Sequence, residues 1–89
     1  MTEVVIAVTN KDGLHARPAA LFVQTTTRFK CSVKVRKGDQ EVDGKSIMGL
    51  MMLAAEEGSK VIITADGADE TGVLEALQKL FESRFGEKD

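Results

Sequence analysis

The segment Cys31-Ser32-Val33-Lys34-Val35-Arg36 alternates apolar and polar residues without a break. Successive side chains of a strand point to opposite faces, so this pattern predicts a strand with one buried and one wet face. Lys37-Gly38-Asp39 follows as a hairpin turn into a shorter strand around Gln40 to Asp43. Half-buried strands of this kind suggest an antiparallel sheet covered on one side only. The remaining segments must then supply the cover.

Val4 to Val8 is a short run rich in β-branched residues and reads as a strand. Asn10-Lys11-Asp12-Gly13 is a loop with a glycine break. From Ala16 to about Thr27 the period changes to that of a helix, with Ala19, Phe22, Val23 and Thr26 on the buried face. Gly44-Lys45 ends the short strand, and a short helix spans Ser46 to about Leu53, with Gly58 marking its exit loop. Lys60 to Ala65 is the last strand, and Asp66-Gly67-Ala68-Asp69 is a turn. A final helix runs from about Glu70 to Phe85 and ends at Gly86, with Val73, Leu74, Leu77, Leu80 and Phe81 as its apolar stripe. The order β-α-β-β-α-β-α gives an α+β class, an open-faced sandwich with a four-stranded antiparallel sheet covered on one face by three helices.

The length of 89 residues allows one domain, 1–89, with a thin core. The net charge of −2 gives no reason to expect nucleic acid or an anionic membrane as a partner. A single cysteine, Cys31, excludes an internal disulfide and fits a reducing compartment. No apolar run has the roughly 20 residues of a membrane span, and the N-terminus does not read as a signal peptide, so a cytoplasmic location is expected.

His15 is the only histidine, and no second histidine or thiolate cluster offers a metal site. Neither a metal nor a cofactor is therefore expected. The run Gly13-Leu14-His15-Ala16-Arg17-Pro18-Ala19-Ala20 carries more information. Pro18 lacks an amide hydrogen and is tolerated only in the first turn of a helix, so it fixes the helix start near His15. The free amides of Ala16, Arg17 and Ala19 are then expected to point back toward the imidazole, and such a helix mouth favours a bound anion. Its positive end would bias His15 toward the neutral, nucleophilic ring. Arg17 opposes the helix dipole there by about 0.3–1 kcal/mol, and rules of this sort tend to be broken at functional sites. A guanidinium in that place could clamp phosphate oxygens with two donors. Taken singly, a histidine at a helix start is commonly a surface or capping residue, and an arginine there a solvated side chain. Histidine, arginine and a helix-fixing proline together point to an anion site, but they do not specify phosphoryl transfer.

At these residues the chain resembles the HPr family, the histidine-containing phosphocarriers of the bacterial phosphoenolpyruvate-dependent sugar phosphotransferase system. The resemblance rests on Gly13-Leu14-His15-Ala16-Arg17-Pro18-Ala19, on Lys45-Ser46-Ile47-Met48-Gly49-Leu50-Met51, on the spacing between them and on the total length. It implies that His15 takes phosphate from Enzyme I, on the ring nitrogen nearer the backbone, and gives it to the A domain of a sugar-specific Enzyme II. It makes Arg17 the phosphate-stabilising residue and the protein a carrier, not an enzyme. One departure is visible: Asp12 stands where relatives often carry a hydroxyl or amide side chain, and its carboxylate could hydrogen-bond the ring or repel the phosphate.

Ser46 is a favoured N-cap, worth about 1 kcal/mol. The resemblance adds a second role, as a regulatory site for an HPr kinase/phosphorylase whose product binds a catabolite-control transcription factor. Both roles are compatible, because phosphate is favoured at a helix N-terminus. The helix that Ser46 opens is apolar almost all round, so Leu50 and Leu53 are expected to pack inward while Ile47, Met48 and Met51 stay partly exposed. Ala16, Ala20 and Gln24 share a face of the first helix below His15 and should border the same patch. A methionine stripe is commonly core, but the flexibility of methionine and the family's use of this helix for docking favour a partner face. The chain is expected to be a monomer. Two other readings differ in kind: a regulatory module acting only through Ser46, against which the presence of His15 speaks, and a hydrolase using His15, for which no second acid or base sits at a recognisable spacing. The resemblance also leaves open a nitrogen-regulatory branch, although the Ser46 motif points to the sugar branch.

Overall fold

A computed structural model describes residues 1–87. Strands β1 (Thr2–Ala7), β2 (Ser32–Lys37), β3 (Gln40–Asp43) and β4 (Lys60–Asp66) form one sheet in the order β1-β4-β2-β3, every neighbouring pair antiparallel. Helices α1 (Ala16–Thr26), α2 (Ile47–Leu53) and α3 (Glu70–Glu82) provide the cover. The predicted α+β sandwich with a β-α-β-β-α-β-α order is the architecture observed.

The alternation in β2 does what it predicts. Val33 and Val35 are buried, while Ser32, Lys34 and Arg36 face outward. Their partners in the central strand β4 keep the same parity, with Val61, Ile63 and Ala65 all buried. A one-residue slip would turn every valine to water, and each large side chain so exposed forgoes roughly 1.5–3 kcal/mol. The β2–β3 turn is tight: Lys37 pairs directly with Gln40, and Gly38 takes φ +60° at the first central position, where hairpins of this length favour glycine.

The helices bury Ala19 and Phe22 from α1, Leu50 and Leu53 from α2, and Val73, Leu74, Leu77 and Phe81 from α3. Phe22 meets Phe81 edge-on at a centroid distance of 6.2 Å, and Phe81 meets Phe85 at 4.9 Å. Thr26 is a buried polar residue, and its hydroxyl donates to the Gly44 carbonyl at 2.8 Å, tying the end of α1 to the β3–α2 loop. Asp69 ties the start of α3 to the start of β2, accepting from the amides of Lys30 at 2.8 Å and Cys31 at 2.9 Å.

The start and end of β1 and the end of α3 differ from expectation. β1 begins at Thr2 rather than Val4, because its pairing with β4 extends to Thr2 opposite Ala65. Val8 lies just past β1 and instead exchanges backbone hydrogen bonds with the turn at Gly58 and Ser59. α2 ends at Leu53 as expected, closed by Ala54 in the left-handed region at φ 54°. α3 stops at Glu82, short of the predicted Phe85. Arg84 and Phe85 both adopt positive φ, 54° and 55°, and turn the chain back on itself. That conformation costs about 1–2 kcal/mol for each non-glycine residue. Burial of the Phe85 ring against Phe81 offsets it by a comparable amount.

Candidate functional site

The loop between β1 and α1 carries His15, and its shape is set by contacts on both sides. Gly13 takes φ +62° and lies so close to the α2 exit that an added Cβ would sit 2.3 Å from the Ala55 carbonyl oxygen. The next amide, Leu14 N–H, donates to that same oxygen at 2.8 Å while the Leu14 side chain is buried. The chain is thus anchored one residue before His15.

His15 is the N-cap of α1, with extended backbone at φ −117° and ψ 159°, and its ring lies exposed. Pro18 occupies the third helical position. A capping acceptor would ordinarily seek an amide at the second or third position, and Pro18 offers none there. The imidazole makes no capping hydrogen bond. Ala16, the first residue of α1, has φ +28°. A non-glycine residue there stores strain on the order of 1–3 kcal/mol, of the kind that gathers at functional positions.

The helix mouth is narrower than the sequence suggests. Ala16 and Arg17 present the first two amides of α1, which have no intrahelical acceptor. The Ala19 amide, expected to be free, is already bonded to the His15 carbonyl at 3.3 Å, because Ala19 is the first residue whose partner four positions back lies within the turn. Two main-chain donors open the helix, and Pro18 removes the third.

Arg17 lies in this cleft with Asp12, His15, Ala16 and Pro18, around a volume of about 240 Å³. Its guanidinium is not idle: Nη1 donates to the Phe85 carbonyl at 3.2 Å. A guanidinium has five donors, so this bond orients the fork without exhausting it. Asp12 lines the same cleft, and its amide donates to the Glu87 carboxylate at 3.2 Å. Phe85, Glu87 and the buried Asn10, which joins Gly13 to Glu87, belong to the surroundings of the site and were not singled out from the sequence. Glycine and asparagine in the 10–13 loop are a signal for a turn, but none marks a residue so far along the chain as Glu87.

The burial of the α2 side chains divides as expected. On α2, Leu50 and Leu53 are buried, Ile47 and Met48 are 42% and 74% exposed, and Met51 is half-buried. Met52 is exposed as well and enlarges the apolar surface. On α1, Ala16 and Gln24 are exposed and Ala20 is half-buried. α1 packs against α2, and the Leu14–Ala55 bond joins the end of α2 to the His15 loop. Ser46 lies at the other end of α2 as its N-cap, its Oγ accepting from the Gly49 amide at 3.0 Å. The capping role read from sequence is the one observed.

Among the described residues no group of three or more His, Cys, Asp or Glu could hold a metal ion, and no helix is long and apolar enough to cross a membrane.

Residues 2–83 match the family model described as the PTS HPr component phosphorylation site. Phosphocarrier protein HPr of Neisseria meningitidis is 51% identical over 82 residues, which cover 92% of each chain. Among solved structures, HPr-C-His from Thermoanaerobacter tengcongensis superposes with a TM-score of 0.96 at 49% identity, covering both chains completely. An HPr dimer from the same organism superposes with a TM-score of 0.79 at 50% identity, covering 98% of this chain and 100% of that one.

Proposed function

Because this chain belongs to the HPr family of phosphotransferase-system phosphocarriers, we propose that it carries phosphate on His15, accepting it from Enzyme I and passing it to the A domain of a sugar-specific Enzyme II. The observation that carries this reading is the exposed His15 ring at the mouth of α1, in one cleft with the Arg17 side chain. The ring attacks as the free base. Its Nδ1 lone pair forms a bond to phosphorus while the bond from phosphorus to the donor group on Enzyme I breaks and its electron pair leaves with that group. The new phosphoryl oxygens then face the amides of Ala16 and Arg17, whose partial positive charge suits an anion. The Arg17 guanidinium supplies charge-assisted hydrogen bonds. Transfer onward is the same displacement run from this chain to the acceptor, so no group is consumed and the protein turns over no substrate of its own.

Both partners need a surface beside the histidine. Ala16, Ala20 and Gln24 with Ile47, Met48 and Met51 supply it, and methionine adapts to more than one partner. Ser46 is the second modification site in this reading. A kinase/phosphorylase adds phosphate there, and the product is recognised by a catabolite-control transcription factor. Its hydroxyl is half-buried at the first turn of α2, where a phosphate oxygen could take over the bond to the Gly49 amide. The protein acts as a cytoplasmic monomer in this reading. A relative's dimer makes size-exclusion chromatography the check.

The deciding experiment is incubation with phosphoenolpyruvate and Enzyme I. An acid-labile adduct mapped to His15 by mass spectrometry is expected, and equal labelling of His15→Ala would refute the assignment. The same mapping on protein taken from cells tests Ser46.

A further inference from the structure

We infer that Glu87 is a positioning residue for phosphoryl uptake, acting from the far end of the chain on the loop that carries His15. The inference rests on the reading of His15 as phosphoacceptor. The Glu87 carboxylate grips the loop through both oxygens. Oε2 accepts from Asn10 Nδ2 at 2.8 Å, and Oε1 accepts from the Asp12 amide at 3.2 Å. Asn10 is 1% exposed, and its Nδ2 also donates to the Gly13 carbonyl at 2.7 Å.

These contacts fix the orientation of the Asn10 amide. Both of its neighbours are acceptors, so a flipped amide would set Oδ1 against two oxygens. The orientation that satisfies them leaves Asn10 Oδ1 without a hydrogen-bond partner among the described residues. A buried acceptor left unpaired is unfavourable, and the fold accepts it in exchange for a side chain joining Gly13 to the end of the chain. An ionised acceptor strengthens the two bonds it receives.

The clamp bears on chemistry because of where the loop leads. Asn10, Asp12 and Gly13 immediately precede Leu14 and His15, and the Gly13 backbone rests on Ala55 from the other side. Two residues before Glu87, the Phe85 carbonyl holds the Arg17 guanidinium. One short segment therefore sets both the loop that delivers the ring and the side chain meant to meet the phosphate. Glu87 acts through these groups and needs no contact with the phosphoryl group.

The test uses the full-length chain with Glu87→Ala and Glu87→Gln. Phosphoryl uptake from phosphorylated Enzyme I is measured as a kcat and KM pair, with amide hydrogen exchange at Asp12 followed by NMR. A misplaced reacting group slows the chemical step, so Glu87→Ala is expected to lower kcat by about tenfold and speed Asp12 exchange by a similar factor. KM for the donor should stay unchanged, because none of the docking residues moves. Glu87→Gln keeps an acceptor oxygen and should recover kcat to within about threefold of wild type. It also carries the test should Glu87→Ala fail to fold. Wild-type kcat in the folded variants, or a loss of thermal stability alone, overturns the inference while phosphocarriage by His15 stands. A wild-type chain that takes no phosphate on His15 overturns the phosphocarrier reading itself and this inference with it.

Discussion

Gly13 and Gly38, both at positive φ, offer a comparison for measuring how tightly the loop that carries His15 is held. Both have positive φ, at +62° and +60°, so alanine is strained in backbone conformation at either site, while it restricts the unfolded chain equally. At Gly38 an added Cβ meets nothing within 4 Å. At Gly13 it meets the Ala55 carbonyl oxygen at 2.3 Å and the Glu56 Cα at 2.9 Å, both main-chain atoms that cannot swing aside. Relief requires the loop to lift by about 1.1 Å to reach the 3.4 Å of ordinary contact. That shift carries the 2.8 Å Leu14–Ala55 hydrogen bond out of range and disturbs the buried Leu14 side chain. Gly38→Ala should therefore cost about 1–2 kcal/mol, from backbone conformation alone. Gly13→Ala should cost about 3–5 kcal/mol, the excess reflecting the lost bond and displaced packing. Each kcal/mol lowers Tm by roughly 4–8 °C in a domain of this size. With no tryptophan or tyrosine in the chain, circular dichroism in urea is the suitable probe. Losses at the two sites equal to within about 0.5 kcal/mol would refute the claim that the loop is braced against the α2 exit.

Three further outcomes follow from the same geometry. The amides of Lys30 and then Cys31 hold the Asp69 carboxyl below the usual carboxylate range, despite an opposing effect of burial. The stability this lends is present above the ordinary aspartate pKa and lost as pH falls through the lower folded value, so Asp69→Asn should flatten the acid end of a urea-midpoint profile between pH 7 and 3; an unchanged acid limb contradicts it. Ser46→Ala should lower stability by about 1 kcal/mol through loss of the α2 cap, leaving uptake of phosphate on His15 at the wild-type rate, as checked by paired denaturation and labelling. Met48→Glu should change stability by less than about 0.5 kcal/mol, since the side chain is 74% exposed, yet raise KM for Enzyme I with kcat preserved; steady-state kinetics with varied chain concentration decides.

The parts of the fold legible in the sequence are those whose signal is local. The β2–β3 hairpin follows from strict alternation and a Gly38 turn, and the start of α1 follows from Pro18. The end of α3 was not legible for a physical reason: Phe85 lies four positions after Phe81 and extends the helical stripe perfectly well. Packing against Phe81 prevailed over local propensity, and the chain entered a left-handed turn to achieve it. At the site, His15 and Arg17 stood out because a cation sits where the helix dipole repels it. The Phe85 carbonyl did not, because a backbone oxygen has no signature in sequence. Glu87 did not either, since 77 positions separate it from Asn10 and no periodicity spans that distance. The order of α2 faces was predictable, because a helix of seven residues lying on one layer cannot hide a full circumference of apolar side chains.

The pairing of β1 with β4 has a consequence for biosynthesis. Thr2 lies against Ala65 and Ala7 against Lys60, so β1 leaves the ribosome well before β4 and waits for its sheet neighbour. The loop that carries His15 hangs directly from that waiting strand, and its later fastenings come from Phe85 and Glu87. A nascent fragment that stops short of Phe85 and Glu87 displays the histidine without the contacts that brace its loop and orient Arg17.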